Sequence, residues 1–405
     1  MKKGLLLAVT ALVILTLAAA AFAQDESSPV KGKIIAPPST RGIPQVKVRT
    51  PLYIFQPDNF TPNTPPASAE TPGSIACIYG VTPPTNGCPR QGSPVATGGA
   101  KAIAVVDYGH NSTLQADFNT FNAQFGLPTQ TLTFICDCDS CPVNDGTGWD
   151  VETALDTEYA HSMAPNAQII VSQFCSDPFE GGTQAAEYLG GQAVAAAGGG
   201  EESNSFGENE FQGEQQYDQY MSVPTVVYFA SAGDSGLGTA YPMASPNVVA
   251  AGGTSIVRGS NGLWTGAEYC WNGSGGGISE FEALPQYQLY LSNKFGTKRG
   301  TPDWASDANP GTGVAVYSTT GCGGWCQVGG TSVSSPTLAG IVNAAGNFHN
   351  NNQVELGNTY HDYFEGILTY RRAFYDITVG SNGSPAGTGW DECTGLGSPR
   401  GDSYF

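Results

Sequence analysis

The segment Gly329-Gly330-Thr331-Ser332-Val333-Ser334-Ser335-Pro336 runs into an apolar helical pattern at Leu338, Ile341, Val342 and Ala345. Two glycines let the backbone turn tightly and approach a ligand. A helix starting at the serine places unpaired N–H groups and a positive dipole end beside its hydroxyl. That setting suits a nucleophile. Residues 252–255 repeat Gly-Gly-Thr-Ser, but Ile256-Val257-Arg258-Gly259 follows without helical period, so nothing there supplies a helix terminus. Ser332 is therefore the candidate, although the tetrapeptide alone is ordinary turn chemistry.

A serine nucleophile needs a base. The chain has four histidines, His110, His161, His349 and His361, and none stands at a glycine-rich helix start, where a subtilisin-type triad would need it. A carboxyl pair is the other choice. Glu152-x-x-x-Asp156 follows Thr147-x-x-Asp150, a capping-box-like start signal, so both acids fall on one helix face about 5–6 Å apart at Cβ. They flank the apolar stripe Val151, Leu155, Tyr159. Like charges this close raise one pKa and let the pair share a proton. Acid pairs at this spacing otherwise form a solvated helix face. Asp234 supplies a third acid, in Ser231-Ala232-Gly233-Asp234-Ser235-Gly236 directly after an apolar strand pattern at 225–230. The carboxyl end of a strand is where α/β sheets bind ligands, and an acid kept protonated there donates to a developing oxyanion.

The elements that must hold these groups alternate. Apolar runs at 102–106, 168–171, 225–230 and 248–251 read as buried strands, and helical patterns cover 112–125, 151–163, 184–196 and 333–348. Such alternation predicts an α/β fold with a mainly parallel central sheet and helices on both faces, in one catalytic domain over 71–405. Residues 24–70 are Pro-rich and polar, and are expected to be a linker or short pro-segment that builds no core.

Residues 1–23 carry Lys2-Lys3, an apolar run and Ala21-Phe22-Ala23, the pattern of a cleaved signal peptide, so a secreted protein with no membrane anchor is expected. The ten cysteines then read as disulfides, with Cys77/Cys88 and Cys322/Cys326 as local pairs by proximity alone. Cys136-x-Cys138-x-x-Cys141 leaves a metal site open, without a matching second cluster. The chain has 405 residues and a formal net charge of −19, which excludes nucleic acid as a partner. A monomer acting on protein or peptide is expected.

Taken together, Ser332 with its helix, Glu152-Thr-Ala-Leu-Asp156 followed by Ala160-His161-Ser162-Met163-Ala164-Pro165, and Asp234 in 231–236 resemble the sedolisins, serine-carboxyl peptidases of subtilisin-like fold. The likeness runs from about Thr71 to the C-terminus. It implies a catalytic set of Ser332, Glu152 and Asp156, with Asp234 serving the oxyanion, and an endopeptidase acting through an acyl-enzyme. Ser203-Asn-Ser-Phe-Gly207 is similar to the family's substrate strand, so Ser205, Phe206 and Gly207 are expected to bind substrate; Phe206 stands where many relatives have Trp. Near the C-terminus, Asp376-Ile377 and Gly387-x-Gly389-x-Asp391 offer two carboxylates and main-chain carbonyls, a set that suits Ca²⁺ with its about six to eight oxygen ligands. The resemblance implies one structural calcium held by Asp376, Ile377, Gly387, Gly389 and Asp391. Because Asp234 must stay protonated, activity is expected at about pH 3–5. Two other readings use the same residues: a secreted, calcium-stabilised peptide-binding protein without turnover, and a histidine-dependent subtilisin-like protease with His161 as base.

Overall fold

The computed structural model describes residues 30–179 and 185–401; the expected signal peptide at 1–23 lies outside them. Eight strands make the central sheet: β1 (Ala102–Tyr108), β2 (Thr133–Cys136), β3 (Gln168–Phe174), β4 (Gly200–Asn204), β5 (Val226–Ser231), β6 (Val248–Arg258), β7 (Trp264–Cys270) and β8 (Trp304–Asp307). The spatial order is β7-β6-β5-β4-β1-β3-β2, with β8 paired to β6. Every pair is parallel except β6 with β7. Alternate strand residues feed two cores, as a pleat covered on both faces requires. Ile103, Val105, Val227, Phe229 and Val249 pack with helices α1 (Leu114–Phe125), α2 (Trp149–Met163) and α4 (Thr331–Ala345). Ala104, Val106, Tyr228, Ala230 and Ala250 face the other way, with Ala186 and Val194 of α3 (Ala185–Ala196). The fold is the α/β arrangement the alternation predicted.

Helices α2 and α4 carry the Glu152/Asp156 pair and Ser332, and they cross closely. Gly340 makes that crossing possible, since a Cβ there would lie 2.6 Å from Met163 Cβ and 2.9 Å from the Ala160 carbonyl oxygen. The expected capping box is replaced by another device. Gly148, in the left-handed region, precedes α2, and the Asp150 carboxylate accepts the N–H groups of Gly146 (2.7 Å) and Gly148 (3.1 Å). All residues of α2 are buried, including both acids, so the pair forms no solvated face.

The described part of 24–70 departs from the expected linker. Gly32–Ile35 pairs antiparallel with Tyr53–Pro57, which pairs with Gly324–Gly329 and through it joins Val314–Ser318 in a four-stranded sheet. Val46, Val48, Leu52, Phe55 and Ala69 are buried. Prolines break the periodicity that marks strands in a sequence, yet they suit extended edge segments, and the partners here lie over 250 residues away along the chain.

All ten cysteines pair, as 77–88, 136–141, 138–175, 270–393 and 322–326. The thiols that left a metal site open between Cys136 and Cys141 are thus consumed in two abutting disulfides. At least 18 of the 35 acidic residues are buried, so much of the chain's negative composition belongs to its interior and not its surface. No described helix is long and apolar enough to cross a membrane.

Candidate active site

Ser332 is the second residue of α4, behind Gly330 at φ 112°, a left-handed conformation that favours glycine. The space there is as restrictive as the backbone: a Cβ on Gly330 would collide with the Pro51 carbonyl oxygen and lie 2.6 Å from Asp234 Oδ2. The other Gly-Gly-Thr-Ser lies inside β6, where Gly253 packs under Trp271 and Thr331, so it begins no helix.

Four carboxyls gather around this helix start: Asp107, Glu152, Asp156 and Asp234. Burial raises the pKa of Glu152 well above the usual range; nearby Asp107 and Asp234 add to the rise, while the Ser332 and Thr50 hydroxyls oppose it. Neither Glu152 oxygen nor Ser332 Oγ has a hydrogen-bond partner of ordinary geometry. Asp156 is raised by burial, by Asp107 and by Glu152, and its Oδ1 accepts from Ser205 Oγ at 2.8 Å. Asp107, at the end of β1, is pushed by burial to about 8, and both its carboxyl oxygens are unpartnered. A concentration of buried polar atoms without partners is costly to folding, and such a cost persists where function holds it.

Asp234 stands in the turn after β5. Its Oδ1 accepts the Thr331 N–H (2.8 Å) and hydroxyl (3.0 Å), while Oδ2 is unpartnered and faces Gly330. Burial pushes its pKa up to about 7 against the lowering by Thr331. The carboxyl therefore keeps its proton well above the pH at which an ordinary aspartate loses it.

Of the expected substrate residues, Ser205 touches Asp156, and Gly207 exchanges main-chain hydrogen bonds with Arg49 (2.9 and 3.0 Å). The Phe206 ring is fully buried in an aromatic cluster with Trp149, Phe174 and Phe179. His161 is directed elsewhere: its Nε2 meets the Pro128 carbonyl at 3.0 Å, its ring packs on Phe118, and burial lowers its pKa to about 4. His349 binds Glu355, His110 lies against Gln173 and Phe134, and His361 is exposed beside Glu365. Ser332 has no imidazole partner among them.

The C-terminal loop brings Asp376 and Asp391 together on one stretch of backbone. Gly389 N–H donates to Asp376 Oδ1 and Gly387 N–H to Asp391 Oδ2, each at 3.0 Å. Burial raises both carboxyls, and the groups that offset it at Asp391 are hydrogen-bond donors. The carboxyl oxygens of Asp376 and Asp391 are hard donors of the kind a calcium ion takes.

Asp107, Thr331 and Thr50 escaped the sequence reading. Asp107 closes an apolar run and looks like the polar end of a strand; its one signal is position, at the carboxyl end of a central strand.

No family model matches the chain. Sedolisin from Pseudomonas sp. (strain 101) is 34% identical over 173 residues, covering 39% of this chain and 28% of that protein. Kumamolisin from Bacillus sp. (strain MN-32) is 30% identical over 295 residues, covering 64% of this chain and 51% of it. The chain thus spans about half or less of these relatives' length. Among solved structures, Pseudomonas sedolisin, described as a serine-carboxyl proteinase complexed with two molecules of pseudo-iodotyrostatin, superposes with a TM-score of 0.65 at 25% identity, covering 82% of this chain and 95% of that one. Sphericase, at 19% identity and a TM-score of 0.54, shares the fold.

Proposed function

Because the chain belongs to the sedolisin family, we propose that it is a secreted, acid-acting serine-type endopeptidase. The observation that carries this reading is the gathering of Glu152, Asp156 and Asp234, with Asp107, around the unpartnered hydroxyl of Ser332.

Asp107, Glu152 and Asp156 titrate as one array, in which burial raises all three, the Asp107 charge raises Glu152 and Asp156, and the Glu152 charge raises Asp156. The carboxylate left when the array loses a proton is the base: Glu152 takes the Ser332 hydroxyl proton as Oγ adds to the substrate carbonyl. Ser205 holds Asp156, and Asp156 in turn biases the proton on Glu152. The oxyanion forms beside two donors, the Ser332 main-chain N–H and protonated Asp234, whose free Oδ2 lies over Gly330. Glu152 then returns the proton to the leaving nitrogen, and water hydrolyses the acyl-enzyme by the same route. Substrate strands pair with the main chain at Gly207.

Asp376 and Asp391, with main-chain carbonyls of Ile377, Gly387 and Gly389, would hold one calcium ion. That ion would neutralise the two carboxylates and fix the loop that the 270–393 disulfide ties to β7. Its contribution is structural. Five disulfides that use every cysteine support export, and peptide recognition requires no second copy of the chain.

The test is hydrolysis of an internally quenched peptide from pH 2 to 9 by the wild type and Ser332→Ala. A loss of about 10⁴-fold or more in the variant, with the fold intact, supports the enzyme. Equal peptide binding by both without hydrolysis would instead identify a binding protein.

A further inference from the structure

Four sulfurs converge at one edge of the central sheet. Cys136 ends the edge strand β2, Cys138 and Cys141 stand in the loop after it, and Cys175 directly follows the neighbouring strand β3. Besides the two covalent bonds, 136–141 and 138–175, Cys136 Sγ lies 3.6 Å from the sulfurs of both Cys138 and Cys175, and Cys141 Sγ lies 3.4 Å from Cys175 Sγ. A carboxyl oxygen of Asp137 is within 4.8 Å of all four.

Cys138-x-x-Cys141 has the spacing of a structural zinc half-site, and what the sequence lacked was its complement. The fold supplies it, since the parallel pairing of β2 with β3 sets Cys136 opposite Gln173 and so brings Cys175 to the loop. Zinc held by four thiolates at about 2.3 Å places its sulfurs about 3.8 Å apart. The three contacts between the disulfides are close to that edge length, so only the two covalent edges must open for the sulfurs to enclose an ion.

Tethering alone does not account for the arrangement. The 138–175 bond ties the loop to β3 by itself, and a second bond between residues five apart constrains the unfolded chain little. Asp137 is a second sign. One of its oxygens accepts the Cys175 N–H at 3.0 Å, while Oδ2 is buried without a partner. A bare buried carboxyl oxygen is costly unless a donor or a cation completes it. The cluster is also within reach of solvent. Cys138 is exposed and the other three cysteines are half-buried, whereas each remaining disulfide has a fully buried member in Cys88, Cys326 or Cys393. A reductant therefore meets this pair of disulfides first.

We infer that reduction turns the pair into a tetrathiolate site for Zn²⁺, formed by Cys136, Cys138, Cys141 and Cys175 with Asp137 at its rim. The step balances: each disulfide takes two electrons and two protons from a dithiol reductant, which closes to its own disulfide, and the four thiols release four protons as they bind one Zn²⁺. The metal keeps its oxidation state. In the reduced chain the ion takes over the tether that the 138–175 bond provides in the oxidised one. That tether bears on the loop whose Pro142 carbonyl accepts the His110 N–H at 2.7 Å and whose Asn144 side chain donates to the Tyr108 carbonyl at 2.6 Å, next to Asp107.

The test uses the full chain as Ser332→Ala at pH 7.5, reduced under native conditions with a water-soluble phosphine, which leaves as its oxide, and kept from air. Alkylation and peptide mass mapping should find Cys136, Cys138, Cys141 and Cys175 as the first thiols released. Equilibrium dialysis against Zn²⁺ in excess Ca²⁺ should give one zinc per reduced chain and none per oxidised chain, and Co²⁺ in its place should show the visible bands of a tetrahedral thiolate complex. Cys136→Ser combined with Cys141→Ser keeps the 138–175 tether while the chain folds, and after reduction it should bind Zn²⁺ at least about 100-fold more weakly. A first release of thiols elsewhere, equal zinc uptake by the oxidised chain, no uptake by the reduced chain, or undiminished uptake by the double variant each overturns the inference.

Discussion

Asp234 Oδ1 accepts two hydrogen bonds from Thr331, one from its main-chain N–H at 2.8 Å and one from its hydroxyl at 3.0 Å. One oxygen is thereby fixed on the residue before the nucleophile, and the other, without a partner, is aimed over Gly330. The carboxyl is positioned as a donor, provided that it is protonated.

Its pKa is pushed up to about 7 by burial, and on the proposed mechanism this group is predicted to set the alkaline limb of activity. As pH rises through that value Asp234 becomes an anion facing a developing anion, and kcat/KM should fall about tenfold per pH unit. Asp234→Asn keeps an acceptor for Thr331 and a donor for the oxyanion at every pH, so its profile should lose the limb near 7. Asp234→Ala should lose about 10²–10³-fold in kcat at all pH values. A limb unchanged in Asp234→Asn would assign it to another group.

Glu152 is read as the base and Asp156 as the residue that tunes it. Glu152→Gln should lower kcat by about 10²–10⁴-fold with little change in KM. Asp156→Asn removes the carboxylate that the Ser205 hydroxyl holds in the cluster, so kcat should fall by less than in Glu152→Gln and part of the rate should persist. Steady-state profiles of the two variants separate these roles.

Stability should run opposite to that of most proteins. Asp107, Glu187 and Glu282 are raised to about 8 and Glu214 to about 9, chiefly by burial. The folded state thus binds protons that the unfolded chain gives up near pH 4. Stability is full below that pH and is lost as pH rises through about 8–9, since the folded state must then bury charges or open. Urea midpoints of Ser332→Ala, which avoids self-digestion, should fall from pH 4 to pH 9. A midpoint that rises over that range would contradict the burial of these groups as acids.

Calcium should matter for the C-terminal loop and not for the chemistry. Chelation is expected to lower Tm by several degrees, with restoration by Ca²⁺, and Asp391→Asn should abolish the response. A chelator that reduces kcat at a temperature well below Tm, with Tm unchanged, would place the ion elsewhere.

The sequence was informative where the chemistry is local. Gly329–Gly330 before a helix, and two acids four residues apart, are short-range patterns, and the structure brings both to one place. Asp107 was hidden because a strand terminus carries no motif. The Arg49–Tyr53 stretch was hidden because prolines made it resemble a linker and its partners, Gly207 and Gly329, are remote in the chain. The formal net charge of −19 says nothing of where the acids lie, and residues such as Glu158, Glu201 and Glu202 are fully buried.

The central claim is a serine made nucleophilic by carboxyls without imidazole. It is tested most directly by acid-quenching a reaction with a peptide ester at pH 4 and mapping the acylated residue by mass spectrometry. The account predicts the acyl group on Ser332 in the wild type, formed at least about 100-fold more slowly in Glu152→Gln. An acyl group on any other residue, or undiminished acylation in Glu152→Gln, would contradict it.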